Sequence, residues 1–363
     1  MMAVTGLFIF LFGWLCLPFL PGIIEIRKKT DASPLKVVQE YDVDVHYFAN
    51  VFRAYVKQHF SGLISSAHAA PKAVQGKLED DTQYFVLNNT HKIPLQESEK
   101  QLQFTHSMLV STDSLQLPGA MSYLTELYAS DSIYGGEENI YRALLAENDI
   151  EIAEGSMLLR WMHAGHSIDV KPHSVLHGRV SADHSINLKN NCHFERLYAP
   201  TILFGDSIPQ HQEQEQANLN KLSPDDLAHD IETKGDRWLI EHDIDIPDNS
   251  LIDCNVVVIG RLKIGKGCRI NGSVKSRKVL YVGEGTVITG SLVSNKNIYC
   301  LEKCCIAGPV ISEESIYLDS SSIVGAAEKP TTISAEEIHI KTNTVAYGSV
   351  WARQTGVVRE AEA

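Results

Sequence analysis

The stretch LKIGKGCRINGSVKSRKV, residues 262–279, decides the fold because its pattern returns after 18 residues as LYVGEGTVITGSLVSNKN, residues 280–297. Apolar residues, glycines and serines keep the same order in both stretches. A fixed period with small and aliphatic residues in constant columns is typical of a solenoid, whose coils bury their apolar sides only by stacking on one another. The columns that we expect to line the interior contain Ile246, Ile252, Ile264, Ile270, Val282, Ile288, Cys300, Ile306 and Leu318.

Each coil consists of short apolar runs that are separated by turn residues. Apolar and polar residues alternate within the runs, and Gly265, Gly267, Gly283 and Gly285 punctuate them. Alternation over a few residues, followed by glycine, indicates strands and turns rather than the 3.6-residue period of a helix. The sequence therefore predicts an all-β solenoid, a parallel β-helix with coils of about 18 residues.

The same register extends upstream of residue 200. Together with the downstream repeats, we count three coils before residue 200 and six after residue 245. Nine coils at about 4.8 Å each make a rod of roughly 43 Å. The upstream columns are Ile152, Val170 and Leu188, then Leu158, Leu176 and Phe194, and finally Met162, Val180 and Tyr198.

An uncharged segment lies near the N-terminus, at residues 4–24. A helix of this length crosses the ~30 Å hydrocarbon core of a bilayer. Arg27, Lys28 and Lys29 follow the segment and no Lys or Arg precedes it, so the positive-inside rule places the bulk of the protein in the cytoplasm. A cleaved signal peptide, the alternative, would need a basic segment before the apolar stretch. The sequence thus predicts a single-pass inner-membrane protein.

The segment YDVDVHYFANVFRAYVKQHFSGLI, residues 41–64, has apolar residues at helical spacing and predicts an amphipathic helix. This helix either caps the first coil or presents a surface to a partner. We favour the cap, because the ends of a solenoid need covering.

A polar segment, residues 207–243, interrupts the repeat with nine acidic and three basic residues, and we expect it to bulge from one face of the rod. Its QHQEQEQ run has the composition of a disordered loop. The predicted parts of the chain are a transmembrane anchor at 1–26, a juxtamembrane region with the amphipathic helix at 27–104, a first β-helix segment at 105–206, the acidic insertion at 207–243, a second β-helix segment at 244–352 and a tail at 353–363.

The net charge and the cysteine content of the sequence exclude some classes of partner and site. The formal net charge of −13 and the lack of a basic stripe argue against nucleic acid as a partner. The seven cysteines fit a reducing compartment. Cys304 and Cys305 follow Cys300 closely, but the ligand spacings of structural zinc sites are absent, so we expect buried thiols that fill space. No cofactor and no metal site is predicted.

Hexapeptide-repeat acyltransferases also form β-helices, and aliphatic residues such as Ile246 and Ile252 do follow at six-residue steps. However, later positions of this series hold Ser276, Ser294 and Ser312, so only two of three faces keep the aliphatic residue. Phosphate-loop and nucleophile-elbow motifs are also absent. We therefore expect a protein that is not an enzyme, and an acyltransferase-like enzyme is the alternative.

Two polar columns on the upstream coils are candidate binding sites. His166 and His184 are 18 residues apart and should stack on the outside, where they could bind a metal ion or respond to pH, although a plain exposed column is the simpler interpretation. Arg160, Gly178 and Arg196 share another column, so two arginines could flank a surface groove for an anionic ligand or partner.

The run INGSVKSRKVLYVGEGTVITGSLVSNKNI resembles the core of the bactofilins, the polymer-forming cytoskeletal proteins. The resemblance is clearest over residues 244–326 and weaker at 338–352 and 152–200. It implies a right-handed β-helix that polymerises end to end without a nucleotide and localises cell-envelope enzymes at a membrane. The matching residues are Ile270, Gly272, Ser273, Val274, Val282, Ile288, Gly290, Ser291 and Leu292.

Three functions are consistent with the sequence. The first is a membrane-anchored cytoplasmic scaffold that associates with itself, through the open edge of the coil from Val345 to Trp351, or positions envelope-synthesis proteins. The second is the acyltransferase-like enzyme. The third is a non-polymerising accessory subunit of a polysaccharide or envelope system that docks through its acidic insertion. Filaments, a discrete trimer and a monomer, respectively, distinguish the three.

Overall fold

Parallel coils of short strands build the protein, as the 18-residue period predicts. They form an all-β parallel solenoid of about 14 turns. The chain divides into two compact units, Met1–Asp44 and Val45–Ala363, and all helices and strands of the described residues belong to the second unit. The computed structural model describes residues 44–68, 70–95, 97–209, 219–227 and 231–360.

Fourteen strands form the first half of the solenoid. They are β1 (Val74–Lys77), β2 (Gln83–Leu87), β3 (Phe104–Thr105), β4 (Met108–Ser111), β5 (Leu115–Gln116), β6 (Ser122–Ala129), β7 (Ile133–Tyr134), β8 (Ile140–Ala146), β9 (Ile150–Ile152), β10 (Met157–Ala164), β11 (Ser167–Val170), β12 (Val175–Ala182), β13 (Ser185–Leu188) and β14 (His193–Phe204). One parallel stack runs from β2 through the even-numbered strands to β14. A second runs from β5 through the odd-numbered strands to β13 and ends on β14.

The second half has three short strands in most coils. Its strands are β15 (Asn220–Lys221), β16 (Ile231–Lys234), β17 (Arg237–Ile240), β18 (Ile244–Ile246), β19 (Ser250–Ile252), β20 (Asn255–Val258), β21 (Leu262–Ile264), β22 (Arg269–Ile270), β23 (Val274–Ser276), β24 (Leu280–Val282), β25 (Val287–Ile288), β26 (Leu292–Ser294), β27 (Ile298–Cys300), β28 (Cys305–Ile306), β29 (Val310–Ser312), β30 (Ser315–Leu318), β31 (Ile323–Val324), β32 (Thr331–Lys341) and β33 (Thr344–Arg359). Every third strand stacks in parallel, so three faces run from β17, β18 and β19 to β32 and β33.

The aliphatic columns line the interior. Ile264 pairs with Val282 and Val282 with Cys300, and all three side chains are buried. This is the arrangement that the period requires, so the predicted ladder is confirmed. On the third face serine replaces the aliphatic residue at one inward position: the hydroxyls of Ser276 and Ser294 lie inside and donate to backbone carbonyl oxygens at the adjacent corner. A small hydroxyl side chain thus fills an inward position and satisfies a buried carbonyl.

A second column of small donors lies at another corner. Its members follow at 18-residue steps, and each donates to a carbonyl oxygen of the preceding coil: Cys268 to Pro247 at 3.1 Å, Thr286 to Gly265 at 3.0 Å and Cys304 to Gly283 at 3.3 Å. The interior thiols therefore behave like the hydroxyls beside them and do more than fill space.

The two halves of the solenoid meet at their C-terminal coils. β14 and β33 pair antiparallel through nine residue pairs, from His193–Val357 to Phe204–Thr344. On its other side β33 pairs in parallel with β31 and β32. The coil from Val345 to Trp351 is therefore paired on both sides, and the prediction that it offers an open edge is wrong. We call the β14–β33 contact the seam; it joins the halves tail to tail, and one hydrophobic core runs through both.

Helix α1 (Tyr47–Ala67) lies along the side of the first half. Its buried residues include Phe52, Val56 and Phe60, which pack on outward-facing side chains of β2, β4, β6, β8 and β10. A helix of 21 residues is about 32 Å long, more than the roughly 19 Å that the four coil spacings from β2 to β10 cover. The prediction that this helix caps the first coil is therefore wrong. Helix α1 runs along the side of several coils and does not close the end of the solenoid.

Other segments cover the first coil of each half. Helix α2 (Glu97–Leu102) contacts β3, and β1 pairs antiparallel with the outer edge of β2. In the second half β16 pairs antiparallel with β17, and Leu222 and Leu227 pack against the core. The described part of the acidic insertion thus covers a coil rather than bulging from a face, whereas its QHQEQEQ run lies outside the described residues.

The prediction of a single-pass membrane protein needs correction. Neither helix in the described part of the chain is both long and apolar enough to span a bilayer. α1 has the length, but it carries Arg53 and Lys57 and turns its apolar side toward the solenoid. The predicted anchor, residues 4–24, lies outside the described residues.

A matched pair of substitutions tests the interior ladder. Ile288 is fully buried between Ile270 and Ile306, whereas Ile311 is 40% exposed on an outer face. Ile288→Lys buries an unpaired ammonium group and should abolish cooperative unfolding, because that cost is comparable to the ~5–15 kcal/mol by which a domain is stable. Ile311→Lys should change the free energy of unfolding by less than about 1 kcal/mol. Circular dichroism during urea unfolding measures both, and a folded Ile288→Lys variant contradicts the ladder.

Candidate functional site

The two stacked histidines lie on the outside of the first half. The rings of His166 and His184 are 4.8 Å apart and nearly parallel, as their spacing predicts. The Nδ1 atom of His166 lies 2.7 Å from a carboxylate oxygen of Asp149, one coil earlier. Both rings are exposed, and Asp149 pairs with His166.

The predicted column of Arg160, Gly178 and Arg196 is wrong at Arg196, whereas Arg160 and Gly178 do lie opposite each other. A β-bulge in β12 shifts the register by one residue, so Arg196 pairs with Arg179. Gly178 has a φ of +75°, and a Cβ atom there would overlap the carbonyl oxygen of Arg160. Only glycine fits this combination of left-handed backbone and close approach. The bulge therefore places Arg196 one residue out of the column of Arg160 and Gly178.

Arg196 and Arg179 instead contact aromatic rings beside the seam. The Arg196 guanidinium lies 4.9 Å above the ring of Trp351, and the Arg179 guanidinium lies 5.7 Å from the ring of Phe48. Phe48 in turn stacks on Trp161 at 6.4 Å. We call these five residues the seam strip. Trp351 and Phe48 are 42% and 46% exposed, and arginines and large aromatic residues of this kind are enriched in protein interfaces.

A histidine–aspartate cluster lies where α1 begins. His163 in β10 is buried, Asp183 follows β12, and His46 precedes the first residue of α1. The Oδ1 atom of Asp183 is 3.7 Å from Nδ1 of His46 and 4.0 Å from Nε2 of His163. Among the described residues these three side chains form the group of His, Cys, Asp or Glu that could hold a metal ion.

The environment of His163 keeps its ring neutral. Burial lowers the pKa of His163 to about 4, with His46 and Arg53 adding to the decrease and Asp183 and Glu147 opposing it. The Nδ1 atom of the ring lies 2.9 Å from the hydroxyl oxygen of Ser181. Sequence reasoning could have placed Ser181 beside His163, since the two are 18 residues apart, but no pattern brings His46 to them.

Arg53 holds α1 in place next to this cluster. Its Nε donates to both carboxylate oxygens of Glu147, at 2.8 and 2.9 Å. Both side chains are about two-thirds buried, and the Glu147 carboxylate raises the pKa of Arg53. An ion pair with hydrogen bonds in a partly dehydrated setting is stronger than an exposed pair.

The cysteines of the described residues lie within the solenoid coils. The six in the described residues are free thiols. Burial raises the pKa of Cys192 and of Cys305 to about 11, so both thiols stay protonated at neutral pH. Because the thiolate is the nucleophile, neither thiol is activated for nucleophilic chemistry at neutral pH. An open cleft of about 360 Å³ lies between α1 and the β1–β2 hairpin, and its polar lining residues are Tyr55, His59, Lys77, Glu79, Asp80 and Tyr84.

Comparisons of the chain with known proteins identify no relative. No protein-family model, no curated protein and no solved structure matches the chain.

The neutral state of His163 predicts a pH-dependent stability. Its pKa of about 4 in the folded protein lies below the usual 6.5, so between these values the unfolded chain binds more protons than the folded one. The free energy of unfolding should therefore fall as the pH drops from 7 towards 4. His163→Asn should flatten this decrease.

Urea unfolding at a series of pH values, in a buffer with a chelator, measures the effect. His106→Asn is the matched control because the ring of His106 is exposed, and it should keep the wild-type slope. A His163→Asn profile as steep as that of the wild type contradicts the assignment of the slope to this ring.

Proposed function

We propose that the protein is a bactofilin-like structural scaffold that acts as a discrete particle and not as a filament. The observation that carries this proposal is the seam. Bactofilin-like assembly requires the terminal coils of separate subunits to pair, and here β14 and β33 of the same chain already pair with each other. The partner strand that another copy would supply is present within the molecule.

The remaining ends of the two halves also favour a discrete particle. On the first half, β1 is a four-residue antiparallel strand that contains Gly76 and Lys77. On the second half, β16 follows the same pattern, and the adjacent β18 is three residues long with Asp245 at its centre. Short strands, charges and antiparallel hairpins at an edge are the features by which proteins prevent edge-to-edge association.

The side faces are then the surfaces through which a scaffold would act. The seam strip combines two guanidinium groups with three large aromatic rings, and it lies on both halves and on α1. Such a surface suits a protein partner, since aromatic and arginine side chains supply much of the binding energy in interfaces. Following the resemblance to bactofilins, we propose envelope-synthesis proteins as the partner class. We propose no catalytic role.

Analytical ultracentrifugation of the full chain tests the discrete state. In a mild detergent, which keeps the uncharged stretch 4–24 from associating, we expect one species with the mass of a single chain or a small closed oligomer. Negative-stain microscopy should show no filaments. Filaments whose length grows with protein concentration contradict the proposal.

A variant at the seam tests whether the pairing of β14 with β33 prevents self-association. A Cβ atom at Gly356 would overlap the ring of Phe194 across the seam, so Gly356→Val should separate β33 from β14 and expose both edges. We expect this variant to lose about 1–3 kcal/mol of stability and to self-associate. Gln354→Val, at an exposed position of the same strand, should do neither. A Gly356→Val variant as stable and monodisperse as the wild type shows that the seam does not control association.

A further inference from the structure

Three side chains that belong to distant parts of the chain converge beside the start of α1. His46, His163 and Asp183 each offer one possible ligand atom, and these atoms all lie within 4.8 Å of one another. The separations of 3.7 and 4.0 Å from Asp183 exceed hydrogen-bond length. Direct hydrogen bonds through these atoms therefore do not explain why Asp183 lies beside the two rings.

We propose that His46, His163 and Asp183 bind a divalent transition-metal ion, with Zn²⁺ as the best match, and that the ion fixes the start of α1 to the solenoid. Three protein ligands and a fourth open position are a common zinc arrangement. Zn²⁺ accepts imidazole nitrogen together with carboxylate oxygen, whereas Mg²⁺ and Ca²⁺ prefer sets of oxygen ligands.

Metal binding requires the three ligand atoms to draw closer. Tetrahedral ligands at roughly 2.0–2.1 Å from zinc lie about 3.4 Å apart, whereas the separations from Asp183 are 3.7 and 4.0 Å and all three atoms lie within 4.8 Å. Asp183 and His46 can supply the movement, because their side chains are 53% and 30% exposed. His163 does not need to move, since its ring is buried in the coil stack.

The surroundings of His163 match those of a metal ligand. A ligating histidine commonly donates its second ring N–H to a neighbouring polar group, which fixes the tautomer and the ring orientation. Ser181 is placed for this role, with its hydroxyl oxygen 2.9 Å from Nδ1 while Nε2 faces the cluster. The ring of His46 packs edge-on against both His163, at 5.1 Å, and Tyr198, at 5.8 Å.

Binding would have a structural consequence. The first residues of α1 carry Phe48 of the seam strip, and Tyr198 lies in β14 of the seam. An ion held by one ligand from the helix side and two from the coils thus ties α1 to the solenoid close to the proposed docking surface. This inference does not depend on the proposed scaffold function.

Calorimetric titration of the metal-free full chain with Zn²⁺ tests the proposal. We expect one ion per chain and a higher melting temperature in its presence. Asp183→Asn, an isosteric change at an exposed side chain, should weaken binding at least about 10-fold and abolish the temperature shift. His46→Gln should do the same. Asp149→Asn is the matched comparison, because Asp149 is the acidic partner of His166 in the other histidine column, and it should leave binding unchanged if the ion lies at His46, His163 and Asp183.

X-ray absorption at the zinc edge identifies the ligands. We expect the spectrum to show two imidazole ligands and oxygen ligands around the zinc ion, and no sulfur ligand. A sulfur shell, equal affinity of the wild type and Asp183→Asn, or wild-type affinity weaker than about 0.1 mM overturns the proposal.

Discussion

The antiparallel pairing of β14 with β33 is the interaction on which the rest of the structure depends. A stack of parallel coils leaves a row of unpaired amides and carbonyls at each end, and one pairing within the chain removes two of these rows. The two strands are long enough for an extended pairing. They contain 12 and 16 residues, whereas β15 to β31 contain two to four. Their length lets a single core continue from one half into the other.

Inside each half, hydrogen bonds at the corners of the coils stabilise the fold together with the apolar contacts of the faces. Aliphatic residues supply the apolar area, but a coil that turns three times also buries carbonyl groups that no strand can satisfy. Columns of serine, threonine and cysteine satisfy them, as Ser276, Thr286 and Cys304 illustrate. The same constraint explains the positions of Cys268 and Cys304: each occupies a buried corner that needs a small side chain able to donate to a carbonyl oxygen.

Features that repeat locally were predictable from sequence, and those that depend on a single distant contact were not. The ladder of Ile264, Val282 and Cys300 follows from the period alone, since each coil meets the next at a fixed separation. A bulge breaks that rule at Gly178, so strict counting misplaced Arg196 by one residue. The seam, the lateral position of α1 and the approach of His46 to His163 join segments with no periodic relation, and no column in the sequence encodes them.

Backbone hydrogen exchange of the full chain, resolved by peptide, tests the tail-to-tail pairing most directly. If β14 and β33 are interior strands, their amides exchange as slowly as those of β24, which lies between β21 and β27. Amides of β1, a short strand at the outer edge of the stack, exchange faster because opening there costs less. Exchange of β14 and β33 at the rate of β1 would contradict the seam and, with it, the discrete scaffold.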